Sequence, residues 1–318
     1  MLALYTFIFI TSCLLLALSS RVLIDAIVRI ARFLKWKEFV TAFLIMSIAG
    51  SIPEFSIGIT SAIYKIPQLS FGNIVGANVI DFTLVIALAG LILGNIKVES
   101  KTVQTSCLFM VISATLPLIL TLDKTLSRSD ALILILSFFI YIFWLFGKKD
   151  RFSKTYDKNS ENQVFSQFNL FLKDLGKVIG GIILLFISTQ GIIASSDFFA
   201  QFFNSSLSLI GILIVGLGTV FPETYFCLLA ARQNQPWMVL GNLMGSVVVP
   251  ATMVLGIVAF IYPIQITDFS SFAIARIFLL ISALFFLIAV RTERKITKKE
   301  ALVLLLLYIL FVICELTF

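Results

Sequence analysis

Histidine is missing altogether from the 318 residues, which excludes His-ligated metal centres and imidazole proton relays. Charge is scarce as well: Asp, Glu, Lys and Arg make up 13% of the chain against 59% hydrophobic residues. Soluble domains carry about 25% charged residues, so there is too little polar sequence here to cover an apolar core in water. The chain reads as an integral membrane protein. The four cysteines, Cys13, Cys107, Cys227 and Cys314, lie inside apolar runs with no short spacing between them, which argues against a disulfide framework or a metal knuckle. No basic residue precedes the first apolar run, and positive charge begins only at Arg21. A cleaved signal peptide has the opposite order, so the first run is read as a spanning helix. The formal charge of +7 falls at the ends of apolar segments. It reads as a topology signal, with membrane lipid and not nucleic acid as the partner.

Ten apolar runs approach the length of about 20 residues that a bilayer core requires. They lie near Leu2 to Ser19, Phe39 to Ile63, Leu69 to Ile96, Val103 to Leu122, Ala131 to Phe146, Val178 to Ser195, Ser206 to Ala231, Trp237 to Tyr262, Phe272 to Val290 and Ala301 to Thr317. Of the 24 Lys and Arg, only Lys65, Lys124, Arg128 and Arg276 fall outside the odd-numbered connections. The loop after the first run is expected to hold Arg21, Arg29, Arg32, Lys35 and Lys37. By the positive-inside rule the odd connections are cytoplasmic and both termini lie outside a multi-pass protein of the cell membrane.

The chain is also written twice. At one constant offset Pro53 and Glu54 fall on Pro222 and Glu223, Pro67 on Pro236, Gly72 and Asn73 on Gly241 and Asn242, Gly76 on Gly245, and Thr83 on Thr252. Polar and helix-breaking coincidences at one spacing mark an internal duplication. Five helices per half is an odd number, so the second half must run inverted relative to the first. The expected layout is an all-α membrane protein of ten transmembrane helices in two inverted five-helix repeats, 1–147 and 173–318, joined by a cytoplasmic linker over 148–172. Within that linker Asp157 to Glu161 lacks the Gly and Glu of a calcium loop, and a solvated connection is the reading preferred.

Three acids, Glu54, Asp81 and Glu223, lie near the middle of their segments, where a carboxylate costs roughly 2.5–3.5 kcal/mol on insertion scales. No Lys or Arg lies at matching depth. The acids must therefore be protonated or balanced by a bound cation. Pro53 and Pro222 are expected to interrupt their helices and free backbone carbonyls. Ser47 and Ser51 share a helical face with Glu54, and Gly216 and Thr219 precede Glu223 by seven and four residues. Asn78 and Asp81 are three apart on the next helix, and Ser246 takes the place of Ala77 in the second copy. Carboxylate, amide, hydroxyl and carbonyl oxygens without nitrogen or sulfur suit hard cations such as Ca²⁺ and Na⁺. The plainer alternative is that these prolines and glycines only kink and pack helices, with the acids protonated.

At these residues the chain resembles the cation/Ca²⁺ exchanger superfamily, whose two α-repeats carry Gly-Thr-Ser-x-Pro-Glu followed by Gly-Asn-x-x-Gly-Ser-Asn. The first copy reads Ala49-Gly50-Ser51-Ile52-Pro53-Glu54 and Gly72-Asn73-Ile74-Val75-Gly76-Ala77-Asn78. The second reads Gly218-Thr219-Val220-Phe221-Pro222-Glu223 and Gly241-Asn242-Leu243-Met244-Gly245-Ser246-Val247. The resemblance implies a secondary active antiporter, not an enzyme, with no cofactor and no obligate protein partner, exchanging Ca²⁺ for Na⁺ or H⁺. It implies that Glu54 and Glu223 hold Ca²⁺, that Ser51, Thr219 and Ser246 lend hydroxyls, and that Ser47 and Gly216 lend carbonyls. Asn78 and Asp81 would add polar ligands, and the first helix of each half would slide to open either side. Gly50, Ala77 and Val220 lack the hydroxyl of the motif, Val247 replaces its Asn, and Pro250 stands opposite Asp81. These departures leave Na⁺ and H⁺ both open as the exchanged ion. A cation channel would share the oxygen cage; an intramembrane hydrolase would need a nucleophile with a base, or paired aspartates, and finds neither.

Overall fold

The computed structural model describes residues 1–33, 51–98, 101–146, 164–266, 269–292 and 294–317. Most of these are helical, because in hydrocarbon each backbone N–H and C=O must be satisfied within the protein, and a helix does so within its own segment. In chain order the helices are α1 (Leu2–Phe33), α2 (Ile52–Ile63), α3 (Pro67–Leu93), α4 (Lys101–Leu120), α5 (Arg128–Phe146) and α6 (Val164–Phe202). They continue with α7 (Leu207–Arg232), α8 (Pro236–Val248, Val249–Val254 and Leu255–Ile261 in succession), α9 (Phe269–Thr292) and α10 (Lys298–Thr317). Among the described residues nine helices are long and apolar enough to cross a membrane, and α2 is a shorter apolar helix. The first half of its expected segment, from Phe39, lies outside the described residues.

Two helices are longer than their apolar runs. The expected spans ended at Ser19 and began at Val178, whereas α1 continues to Phe33 and α6 already starts at Val164. Arg21 and Arg29, expected in a loop, therefore stand on α1, because a membrane helix need not end where its apolar run ends and Arg is a good helix former. At about 1.5 Å per residue α6 is roughly 58 Å long and α1 roughly 48 Å, against a hydrocarbon core of about 30 Å. Their projecting ends meet. Arg29 Nε donates to both oxygens of Asp174, at 2.9 and 3.0 Å, and Lys177 Nζ lies 3.6 Å from the same carboxylate.

The pair α1 and α6 lies side by side and shares an apolar cluster of its own. Leu16 and Leu23 of α1 meet Leu185 and Ile192 of α6 there, joined by Ile57, Leu69 and Val215 from the helices behind. The main core is separate and draws on α3, α4, α5 and α7 to α10.

The duplication is visible in the backbone. Asp81–Val85 in α3 and Val249–Val254 in α8 each form a π-helical turn, at matching places in the two repeats. In both a threonine donates its hydroxyl four residues back, Thr83 to the Val79 carbonyl and Thr252 to the Val248 carbonyl. At the helix ends short strands exchange partners between halves. β1 (Asn95–Lys97) pairs antiparallel with β4 (Lys295–Thr297), and β2 (Thr125–Leu126) with β3 (Ile264–Gln265). The strands before α5 and α10 run into matching capping boxes, in which Asp130 accepts from Ser127 N and Glu300 from Thr297 N, at 2.9 and 2.7 Å.

Where α3 crosses α7 the two backbones touch. A Cβ on Gly72 would lie 2.2 Å from the Ser208 carbonyl oxygen, and one on Gly76 2.1 Å from that of Ile212. Only glycine allows this approach, which brings the polar turns of α3 against those of α7. Gly76→Ala should force the helices apart. We expect it to destabilise the protein by about 1–3 kcal/mol or more, read as a lowered melting temperature in detergent.

Candidate cation-binding site

Glu54 and Glu223 enter the interior from different backbone settings. Among the described residues α2 begins at Ile52, with Ser51 at its N-cap and Pro53 and Glu54 in its first turn. Pro222, by contrast, lies inside α7, which runs unbroken from Gly216 to Arg232 around it. The expected interruption at Pro222 is thus corrected: the helix absorbs the ring. The missing Pro N–H still deprives the Gly218 carbonyl of its intrahelical donor. Both acids face protein and not lipid, with Glu54 4% exposed and Glu223 8%.

From α3 come Asn73, Asn78 and Asp81, all buried. Two hydrogen bonds tie these residues to the second half. Ser246 Oγ on α8 donates to Asp81 Oδ2 at 2.8 Å, with the Leu243 carbonyl as its other acceptor at 3.2 Å. Thr219 Oγ1 on α7 donates to Asn73 Oδ1 at 3.0 Å, with the Gly216 carbonyl at 3.2 Å. Gly216 itself abuts α3, its Cβ position lying 3.1 Å from Ala77 N.

Among the described residues there remains a set of acceptors that no donor reaches: Glu54 Oε2, Glu223 Oε2, Asp81 Oδ1 and Asn78 Oδ1, all buried. Each unsatisfied buried polar atom costs about 1–3 kcal/mol, more when charged. The carboxylates of Glu54, Asp81 and Glu223 are all buried. They come one each from α2, α3 and α7, and among the described residues no three acid or thiol side chains close into a compact metal cluster. An ion here would need the hydroxyl, amide and carbonyl oxygens between the acids as well. Such a mixed set of oxygens suits hard cations.

Ser51 is buried beside Glu54 in sequence, while Ser47 and Gly50 lie outside the described residues. The positions that depart from the motif offer no side-chain oxygen: Ala77, Val220 and Val247 join the apolar core and Pro250 is buried in the π-turn of α8. Two polar neighbours were not expected at the site. Asn73 served only as a marker of the repeat, yet it meets Thr219. Its repeat mate Asn242 instead donates to Cys227 Sγ at 3.5 Å, one turn beyond Glu223. An amide duplicated in the middle of two apolar helices was the signal available.

Comparison with known proteins places this arrangement. The family model described as sodium/calcium exchanger protein matches residues 4–147 and 174–316. The sodium/calcium exchanger MaX1 of Methanosarcina acetivorans is 25% identical, over 89% of this chain and 90% of that protein. The inner membrane protein YrbG of Escherichia coli is 22% identical, over 78% of this chain and 77% of its own length. In fold the chain is similar to the solved sodium-calcium exchanger NCX_Mj, with a TM-score of 0.65 and 24% identity over 98% of this chain and 99% of that one.

Replacing Glu54 or Glu223 by Gln should weaken Ca²⁺ binding by about 2–5 kcal/mol, at least roughly thirtyfold. Ser61→Ala, which removes a buried hydroxyl bonded to the Gly58 carbonyl, should leave it unchanged. Calorimetric titration of purified protein checks both.

Proposed function

Because the chain belongs to the sodium/calcium exchanger protein family, we propose that it carries Ca²⁺ out of the cell in exchange for Na⁺, the two ions taking turns at one site between α2, α3, α7 and α8. Membership makes it a cation/Ca²⁺ antiporter and a multi-pass membrane protein of a transporter family. The choice of Na⁺, the site residues and the movement below are our reading.

The observation that carries it is the group of buried carboxylate oxygens without donors on Glu54, Asp81 and Glu223. In this reading Glu54 and Glu223 grip Ca²⁺ as substrate, and Asp81, steadied by Ser246, completes the charge. Asn78, Ser51 and Ser47 extend the oxygen set from the first half. The Thr219 hydroxyl and the Gly216 carbonyl offer the neutral oxygens that a monovalent ion needs. Coupling follows from competition. A site emptied of both ions leaves bare carboxylates in a low-dielectric interior, which makes its reorientation unfavourable.

The movement is assigned to α1 and α6, which share their own apolar cluster and are tied at one end by Arg29 and Asp174. Sliding along the remaining helices, they would uncover the site to one side at a time. The repeats 1–147 and 173–318 supply the two gates, the linker 148–172 is cytoplasmic, and both termini are outside.

One specific feature favours proton coupling as a second reading. Three carboxylates carry one more negative charge than one Ca²⁺ neutralises, and Asp81 or a Glu would hold the balancing proton. Vesicles containing the purified protein separate these readings. Ca²⁺ uptake should follow an outward Na⁺ gradient and should need an exchangeable ion on the far side. Uptake driven by a pH gradient alone, without Na⁺, would discard Na⁺ in favour of H⁺; uptake with no counter-ion at all would mean a channel.

A further inference from the structure

We infer that Asn73 is a positioning residue that prepares Thr219 as a cation ligand by taking the single proton of its hydroxyl across the contact between the two halves. The inference rests on the reading that Thr219 belongs to the cation site.

A threonine hydroxyl has one proton and two lone pairs. In a membrane helix that proton ordinarily goes back to a carbonyl of the preceding turn, here that of Gly216 at 3.2 Å. Such a bond would occupy a carbonyl oxygen the site could otherwise offer. Asn73 Oδ1 stands closer, at 3.0 Å, and comes from the opposite repeat. With the proton drawn there, the Gly216 carbonyl is spared a second hydrogen bond beyond its helical one, and the direction of the lone pairs on Thr219 Oγ1 is fixed for a cation.

Asn73 is held firmly enough to do this. It is fully buried, and the backbones on either side of it are in contact with α7 through Gly72, Gly76 and Gly216. Among the described residues its Nδ2 has no acceptor, and the hydrogen bond shown for this amide is the one to Thr219. The second repeat has no counterpart. Asn242 turns its amide to Cys227, and Gly50, at the place of Thr219, has no hydroxyl. The duplicated asparagine therefore serves only one half, and the site is lopsided in its neutral ligands.

A double-mutant cycle on the purified full chain tests this. Na⁺ and Ca²⁺ binding are titrated by calorimetry in Asn73→Ala, in Thr219→Val and in the double variant, with ion-free melting temperatures as a check on folding. Each single change should weaken Na⁺ binding about tenfold, and the double should weaken it no further. Thr219→Ser should stay close to the unmodified chain while Asn73 is present. Additive losses, or a loss in Asn73→Ala that also lowers the ion-free melting temperature and Ca²⁺ binding equally, would reduce Asn73 to a packing residue and overturn the inference. If the unmodified chain binds Ca²⁺ but not Na⁺, the Na⁺ reading fails by itself, and the same cycle read on Ca²⁺ decides the role of Asn73. Should Asn73→Ala not fold, Asn73→Ser, which shortens the acceptor out of reach of Thr219, takes its place.

Discussion

A carboxylate shut away from water with no cationic side chain beside it has to be completed from outside the protein. Among the described residues Glu54, Asp81 and Glu223 are in that position, each with a buried oxygen that receives no hydrogen bond. Protons or metal ions are the only species able to complete them, and both come from solution. Such groups are costly to keep in a greasy interior, and the helices around them fix where they stand.

The positioning depends on how closely two helices approach. Glycines on α3 let its backbone rest on α7, so that Asn73 meets Thr219. The π-turn that begins at Asp81 re-aims the helix at the acid itself. Its twin in α8 contains Pro250 in place of an acid, so symmetry of backbone is kept while symmetry of chemistry is lost. Ala77 in the first repeat and Val220 and Val247 in the second have been absorbed by the apolar core.

Much of this was legible in the sequence. The acids stood out because a buried charge in a greasy segment has few structural excuses, and the repeat because Pro-Glu and Gly-Asn-x-x-Gly are unlikely to recur at one spacing by accident. Helix ends were less legible. Hydropathy reports where lipid stops and not where hydrogen bonding stops, so it points to a loop at Arg21 and Arg29 although α1 carries them. At Pro222 the reason is related: one missing N–H removes a single bond, and the helix continues on both sides of the ring. The Asn73–Thr219 bond and the strand pairs lay beyond reach, because they join residues far apart in the chain whose meeting depends on the inverted docking of the halves.

The exchanged strands have a consequence for how the molecule comes to exist. Each two-strand clasp needs one piece from either half: β1 waits for β4 near the far end of the chain, and β3 reaches back to β2. Neither half therefore completes these strand pairs without the other. The design is that of an antiparallel dimer with swapped arms, fused into one polypeptide.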